Sequence, residues 1–509
     1  MAILQKFLVA ALLVTVNANP APSPPVFQTQ CNNKVYKYDE LAGYGFLPSN
    51  GRDKTGDTLG GIGSSAAIDP KSWKKKGNSF SGILYGLPDR GWNTNGTINY
   101  IPRVQKFAIK FTPNCDATVA NPSKPNIELT YLDTILLKGP DGTPATGLDP
   151  DFTEAATYPG FPPLPVATYP GDGFGGAGPG GKAVSLDSEG LVLTDDGFYI
   201  SDEYGPYVYQ FDFSGKMLGA IRPPDAILPL RNGTVSFSAN SPPRYNPAKA
   251  PRPGNPTQGR SNNQGFEGLT ADPKGENLYV LLQSAARQEG GAEAETRRYT
   301  RLLQYKLDKK KSPTYVAEYV VPLPIIANGT KVAAQSELHY ISDTQFLILS
   351  RDSGAGTATA SSTSVYRHVD VFDISKATNV KGSSYDAFNT SIASSAGVLK
   401  PGISAVDYCS FVDFNINSQL NRFGLHNGGA QDAGLLNEKW ESLSLVETGE
   451  HGSKNEYYLF SLSDNDFITQ NGFINSGKVA YADASGFNAN NQILAFKITL
   501  PKGSRPLLG

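Results

Sequence analysis

Apolar and polar residues alternate at a spacing of two along several short stretches of this chain, and the stretches recur. "RVQKFAIKF" (103–111), "YVYQFDF" (207–213), "RLLQYKL" (301–307), "HVDVFDI" (368–374) and "QILAFKITL" (492–500) share the pattern. Such alternation puts one face of an extended backbone in a core and the other toward water, so each stretch predicts a half-buried strand. A pair of shorter apolar strands around a polar turn precedes each one. Four of these pairs open on a glutamate: "SEGLVLTDDGFYISDE" (188–203), "FEGLTADPKGENLYVLLQS" (266–284), "SELHYISDTQFLILSRD" (336–352) and "ESLSLVETGEHGSKNEYYLFSLSDND" (441–466). An earlier copy, "GGIGSSAAIDPKSWKKKGNSFSGILYGLPDRGW" (60–92), has glycine in place of the glutamate. A fourth strand follows in some units, as in "NIELTYLDTILL" (126–137) and "TYVAEYVVPL" (314–323).

Three or four antiparallel strands repeating at a long period describe the blades of a propeller. The fold class is therefore all-β, a β-propeller with five recognisable blades. A sixth stays open around "AVDYCSFVDF" (405–414). The repeated acids stand roughly 70 to 100 residues apart, beyond the ~40–50 residues of compact propeller repeats, so long loops must separate the blades. Gly139–Lys182 and Ser241–Asn263 are the longest, read as surface excursions or lids. A β-sandwich would not repeat a glutamate at equivalent strand starts, and a parallel α/β fold needs amphipathic helices that the Gly- and Pro-rich connections do not supply. The expected organisation is a leader over 1–18, an N-terminal segment over 19–58, and one propeller over 59–509.

In a propeller the first strand of each blade lines a central channel, so equivalent positions converge on one axis. Glu189, Glu267, Glu337 and Glu441 then share a small volume, where like charges raise one another's pKa. A divalent cation, Ca²⁺ or Mg²⁺ by the hardness of the ligands, would relieve this. Arginines such as Arg90 and Arg351 offer another route. In a purely architectural reading, each Glu instead closes its blade by accepting backbone N–H bonds from a neighbour. The acids that end second strands, Asp202, Glu203, Asp352 and Asp464, face the channel mouth in this scheme or cap turns.

Net charge and composition narrow the function. With 509 residues, 39% hydrophobic, 18% charged and a formal charge of −2, the chain has no electrostatic footprint for nucleic acid or anionic membrane. Met1–Ala18 carries Lys6, the apolar run 7–16 and small residues at its end, the pattern of a secretory leader. The apolar run is far short of the ~20 residues that span a bilayer. Asn95, Asn232, Asn328 and Asn389 open N-x-[ST] sequons, consistent with that route. Three cysteines predict one disulfide and one free thiol, with Cys31–Cys115 the pairing considered. The four histidines, His339, His368, His426 and His451, read as surface or satisfied residues, and no G-x-S-x-G, P-loop or H-E-x-x-H is present.

"SEGLVLTDDGFYISDEYGPYVYQFD" and "GFEGLTADPKGENLYVLLQSA" resemble the phytase-like family with esterase-like activity, secreted β-propeller proteins. The resemblance runs from about Gly60 to Leu500 and is weakest over 376–438. It implies a hydrolase of phosphate or carboxylic esters, calcium-dependent as in β-propeller phytases. Its motif positions here are Glu189, Asp202, Glu203, Tyr204, Glu267 and Glu441. The missing Glu of the first unit and the scarcity of basic residues near the strand ends weigh against a highly phosphorylated substrate. The expectation is a secreted, monomeric ester hydrolase with Ca²⁺ on Glu189, Glu267, Glu337 and Glu441. Asp202, Glu203 or Asp352 would serve as general base, and Arg351 would orient the substrate. A non-catalytic binding propeller and a propeller lactonase or isomerase are the rivals.

Overall fold

In the computed structural model, which describes residues 24–308, 311–326, 329–352, 364–449 and 455–509, the strands form five four-stranded antiparallel blades. Blade 1 runs outward through Ser65–Ile68, Ser79–Leu87, Arg103–Phe111 and Ile127–Leu136. Blade 2 is Ser188–Leu193, Gly197–Asp202, Val208–Asp212 and Met217–Ile221. Blade 3 is Phe266–Ala271, Asn277–Leu282, Tyr299–Asp308 and Lys311–Pro322, and blade 4 is Ala334–Ser342, Gln345–Arg351, Arg367–Asp373 and Asp407–Asp413. The segment "AVDYCSFVDF" is thus the outer strand of blade 4 rather than a sixth blade.

Blade 5 draws on both halves of the sequence. Ser444–Glu447, Glu456–Leu462 and Asn491–Thr499 supply its inner three strands, and Lys34–Leu47 supplies the outermost, pairing Lys37 with Thr499 and Leu47 with Asn491. The N-terminal segment expected to stand apart is therefore part of the propeller from residue 34. Pairing the two ends of the chain in one blade fastens the last blade of the ring to the start of the chain.

Packing between blades closes the ring. Five apolar clusters are each shared by two neighbours: Leu191 and Phe198 against Leu87 and Val104, Val192 and Val208 against Phe266 and Leu278, Leu281 and Leu302 against Leu338 and Phe346, Leu349 and Val371 against Leu459 and Phe496, and Phe460 and Leu462 against Leu84 and Phe107. Burial of these alternating strands supplies the main driving force, at ~25 cal/mol per Å² of apolar surface. Cys31, beside the N-terminal strand of blade 5, is bonded to Cys409 in the outer strand of blade 4, and Cys115 is free. This corrects the Cys31–Cys115 pairing: ring closure brings the outer strands of blades 4 and 5 together across 378 residues of sequence. Residues 505–509 cross the axis at the later ends of the inner strands, with Arg505 N donating to Ile341 O and Gly509 N to Leu445 O.

Both long loops are packed rather than free excursions. The first contains a three-stranded sheet, Ala155–Ala156, Leu164–Tyr169 and Gly181–Val184. It is joined to the segment just before the second where buried Asp149 accepts from Ser238 Oγ and Ala239 N, both at 2.6 Å. Arg260, also buried, donates to the carbonyls of Tyr204 and Phe237 and fastens the second loop to blade 2.

Candidate functional site

The inner strands begin, and the second strands end, at one end of the axis, around a cavity of about 310 Å³. Blade 1 contributes Asp89 and Arg90, blade 2 Asp187, Glu189 and Glu203, blade 3 Glu267 and Gln283, blade 4 Arg351, and blade 5 Glu438, Lys439, Glu441 and Asp466. Local geometry explains which side chains arrive. Asp187 and Glu189, like Lys439 and Glu441, are two residues apart on extended backbone and so share a face. In blades 2 and 3 the Glu-Gly pair falls in a bulge, with register breaking between Ser188 and Leu191 and between Phe266 and Leu269. A bulge re-aims a side chain and leaves backbone groups to be satisfied elsewhere. Here Gly190 N donates to Ser201 Oγ, which donates to Glu267 O on the next blade. Gly190 is required at that approach, because a Cβ there would lie 2.4 Å from Glu267 O.

Eight carboxylates line the cavity against three cationic side chains, Arg90, Arg351 and Lys439. Each cation is already engaged. Arg90 Nη1 lies 2.8 Å from Asp187 Oδ2, and Arg351 pairs with Glu441 and reaches Glu438 at 4.0 Å. Lys439 Nζ lies 2.7 Å from Asp464 Oδ2 and 2.8 Å from Asp466 Oδ1. Among the described residues two triads of acids bring their oxygens within 4.8 Å of one another: Asp187, Glu189 and Glu203, and Asp89, Asp464 and Asp466.

The first triad is under-compensated. Glu203 is fully buried, yet neither of its carboxylate oxygens has a hydrogen-bond partner, and Asp187 Oδ1 has none. Burial and then the Asp187 charge push Glu203 up to about 8, against the pull of Arg90, Arg260 and Lys439. Glu189 is held well above the usual carboxylate range by burial and by the charges of Glu203, Asp187, Glu267 and Glu441. Glu267 rises for the same reasons, burial first and then Glu203 and Glu441. An array of this kind takes up positive charge, as protons or as a hard cation bound by oxygen. The orphaned oxygens of Glu203 and Asp187 fit a Ca²⁺- or Mg²⁺-type ion, which prefers carboxylate ligands.

A family model for phytase-like proteins, described as the esterase-like activity of phytase, matches residues 80–467. This chain belongs to the phytase-like family. An uncharacterized secreted protein of Arthroderma benhamiae is 53% identical over 497 residues, covering 93% of this chain and 97% of that one. Among solved structures, an N-acetylgalactosamine deacetylase from F. plautii in complex with blood group B trisaccharide is 10% identical with a TM-score of 0.30, covering 91% of this chain and 95% of that one. A thermostable family-43 glycoside hydrolase is 8% identical with a TM-score of 0.28, covering 87% and 96%. The propeller assignment rests on the five sheets themselves.

Of the phytase-like motif positions, Glu189, Glu203 and Glu267 line the cavity with Glu441, and so does Arg351. Two others support the wall. Asp202 accepts from Asp187 N at 2.6 Å, Gly205 N at 3.0 Å and Tyr209 Oη at 3.3 Å, which fixes the strand that carries the triad. Tyr204 donates from Oη to Gly147 O. Asp352 likewise sits behind the cavity, accepting from Ser364 Oγ at 2.5 Å and Val365 N at 2.8 Å. Neither Asp202 nor Asp352 lines the cavity.

Glu337 departs from the expected ring. In blade 4, Leu338 pairs with Ile348 as Leu191 pairs with Ile200, so Glu337 falls where blades 2 and 3 carry glycine, and Ser336 takes the glutamate's place. One residue of offset turns a strand side chain to the other face. Glu337 accepts from Ser65 Oγ at 2.5 Å, Leu269 N at 3.1 Å and Leu338 N at 2.8 Å, bridging blades 1, 3 and 4. It does not line the cavity, and the architectural reading holds for it. Of the four glutamates expected to converge, Glu189, Glu267 and Glu441 line the cavity and Glu337 does not.

Sequence reading missed Asp187, Glu438 and Lys439 as site residues. A usable signal existed for Asp187 and Lys439, which lie two positions before the repeated glutamates. His339 is buried against Leu507 O and pushed down to about 4 by burial. His368 stacks on Tyr366 and His426 contacts Asp432. None of these lines the cavity. His451 and Asn328 lie outside the described residues, as does the leader, while Asn95, Asn232 and Asn389 are exposed. Among the described residues no helix is long and apolar enough to cross a membrane.

Proposed function

We propose that this protein is a secreted ester hydrolase that binds a divalent cation, Ca²⁺ in the first instance, on Asp187, Glu189 and Glu203. The observation that carries the reading is the buried triad itself, whose oxygens lie within 4.8 Å while both oxygens of Glu203 lack a partner. A bound cation would supply Lewis acidity to an ester oxygen or to water, chemistry that needs no Ser–His pair. Glu267, held by Gln283 at Oε1 with Oε2 unpartnered, would serve as the proton acceptor. Arg351, fixed by Glu441 and by Ser336 Oγ at 3.2 Å, would orient an oxygen that gains negative charge.

The excess of carboxylates over cationic groups also constrains the substrate. A polyanion such as a multiply phosphorylated ester meets repulsion from the wall, whereas a compact uncharged ester fits a cavity near the small end of ligand pockets. A secreted destination agrees with the Cys31–Cys409 disulfide, since such bonds persist in oxidising compartments.

The test is hydrolysis of p-nitrophenyl acetate and p-nitrophenyl phosphate by protein dialysed against EDTA and then supplied with CaCl₂. Calcium-dependent turnover of the carboxylic ester, lost in E203Q, is expected. No cation-dependent turnover of either ester overturns the reading and leaves a binding propeller.

A further inference from the structure

Each of the two acid triads touches one cationic side chain, but the two contacts differ in how much of the triad they serve. At Asp89, Asp464 and Asp466 the ammonium of Lys439 lies 2.7 Å from one carboxylate and 2.8 Å from another, with Glu441 Oε2 at 3.6 Å. Contacts of this length are charge-assisted hydrogen bonds, among the stronger ones a protein makes. At Asp187, Glu189 and Glu203 the one cationic contact is Arg90 to Asp187 Oδ2, and three oxygens keep no partner.

We infer that Lys439 is a tethered stand-in for a second metal ion: its ammonium fills the Asp89–Asp464–Asp466 triad and limits the cavity to one divalent cation. The inference rests on the cation-binding reading of the Asp187–Glu189–Glu203 triad. The geometry favours this role over a simple surface ion pair. The Lys439 side chain is only 20% exposed and Asp464 is fully buried, so the pair is largely out of water. Lysine delivers a compact point charge with rotatable donors, the closest side-chain analogue of a small cation. A single positive charge also leaves the triad net negative, so removing it exposes a hard-ligand site of the same kind as its neighbour.

The experiment is a count of bound Ca²⁺ per chain by equilibrium dialysis and elemental analysis, in wild type, K439M, K439R and E203Q, with melting temperatures in EDTA and in Ca²⁺. The expected counts are one for wild type, two for K439M, one for K439R and none for E203Q. K439M should melt lower than wild type in EDTA and recover more than wild type on adding Ca²⁺, because the ion then supplies the missing charge.

A wild-type count of two, or a K439M count equal to wild type, overturns the inference. So does a K439M protein that stays unfolded whether or not Ca²⁺ is present. A count of none in wild type with one in K439M upholds Lys439 as the stand-in while refuting the cation reading of the neighbouring triad. The two failures are therefore distinguishable.

Discussion

Replacing Glu203 by Gln should make the metal-free protein more stable at alkaline pH and the calcium-loaded protein less stable. In the folded chain this carboxyl keeps its proton until about pH 8, against a usual 4.5, because burial and the Asp187 charge penalise ionisation. At 1.36 kcal/mol per pH unit the full penalty is roughly 4–5 kcal/mol. Glu189 carries part of the same repulsion, so ~2 kcal/mol of it is assigned to Glu203 alone. The sign follows from linkage. A carboxyl whose folded pKa is raised contributes no penalty below 4.5, loses stability as pH rises from there, and carries the full penalty above about 8. Glutamine never ionises and escapes it.

For 509 residues the unfolding entropy near Tm is about 1 kcal/mol per kelvin, from ~2.1 cal/mol/K per residue. In EDTA at pH 8.5, E203Q should therefore melt ~2 °C above wild type, with the gap closing toward pH 4.5. Calcium at a thousand times its dissociation constant would add ~4 kcal/mol to wild type, and so ~4 °C, by mass action. E203Q should gain almost nothing. Differential scanning calorimetry across pH 4–9, with EDTA or CaCl₂, reads both effects. Equal stabilisation of the two proteins by calcium, or a lower melting point for E203Q in EDTA at pH 8.5, would refute the reasoning.

Exchanging both Cys31 and Cys409 for Ser should lower stability by ~2–5 kcal/mol, since the bond closes a loop of 378 residues; an unchanged denaturant midpoint would argue against a role in ring closure. E337A should cost ~2–4 kcal/mol in urea denaturation, because the donors of Ser65, Leu269 and Leu338 lose their common acceptor. Calcium stoichiometry in that variant should not change, and its loss would return Glu337 to the metal set. Secreted protein should carry glycans at exposed Asn95, Asn232 and Asn389, visible as mass loss after peptide-N-glycosidase treatment; unmodified peptides would remove them.

What the sequence made legible follows from how locally each feature is encoded. Inner and second strands were readable because a hairpin needs only twenty-odd neighbouring residues and repeats its Glu beside a short apolar run. Blade 5 was only partly readable. Its outer strand, Lys34–Leu47, pairs with Asn491–Thr499 from the far end of the chain, and nothing local in "KVYKYDELAGYGFL" announces that partner. Glu337 misled because "SEL" looks like "SEGL" with a deletion, whereas the ladder aligns the leucines and turns the glutamate toward Ser65. Asp202 misled differently. Being polar at the end of a buried strand, it is equally fit to hold a turn, and its three donors show that it does. Lys439 was invisible as a site residue because its role depends on Asp464 and Asp466, about 25 residues on.

The use of Lys34–Leu47 as the last strand of blade 5 has a consequence for how the chain matures. Lys34–Leu47 finds its hairpin partner Phe27–Cys31 at once, but its blade 5 partner lies within the final nineteen residues, so its other edge must be kept from pairing wrongly while blades 1 to 4 assemble. Its bond to Cys409 likewise cannot form until most of the polypeptide has reached an oxidising environment. A chain cut short before Asn491 would carry an unsatisfied N-terminal ribbon and an open wedge between its first and fourth blades.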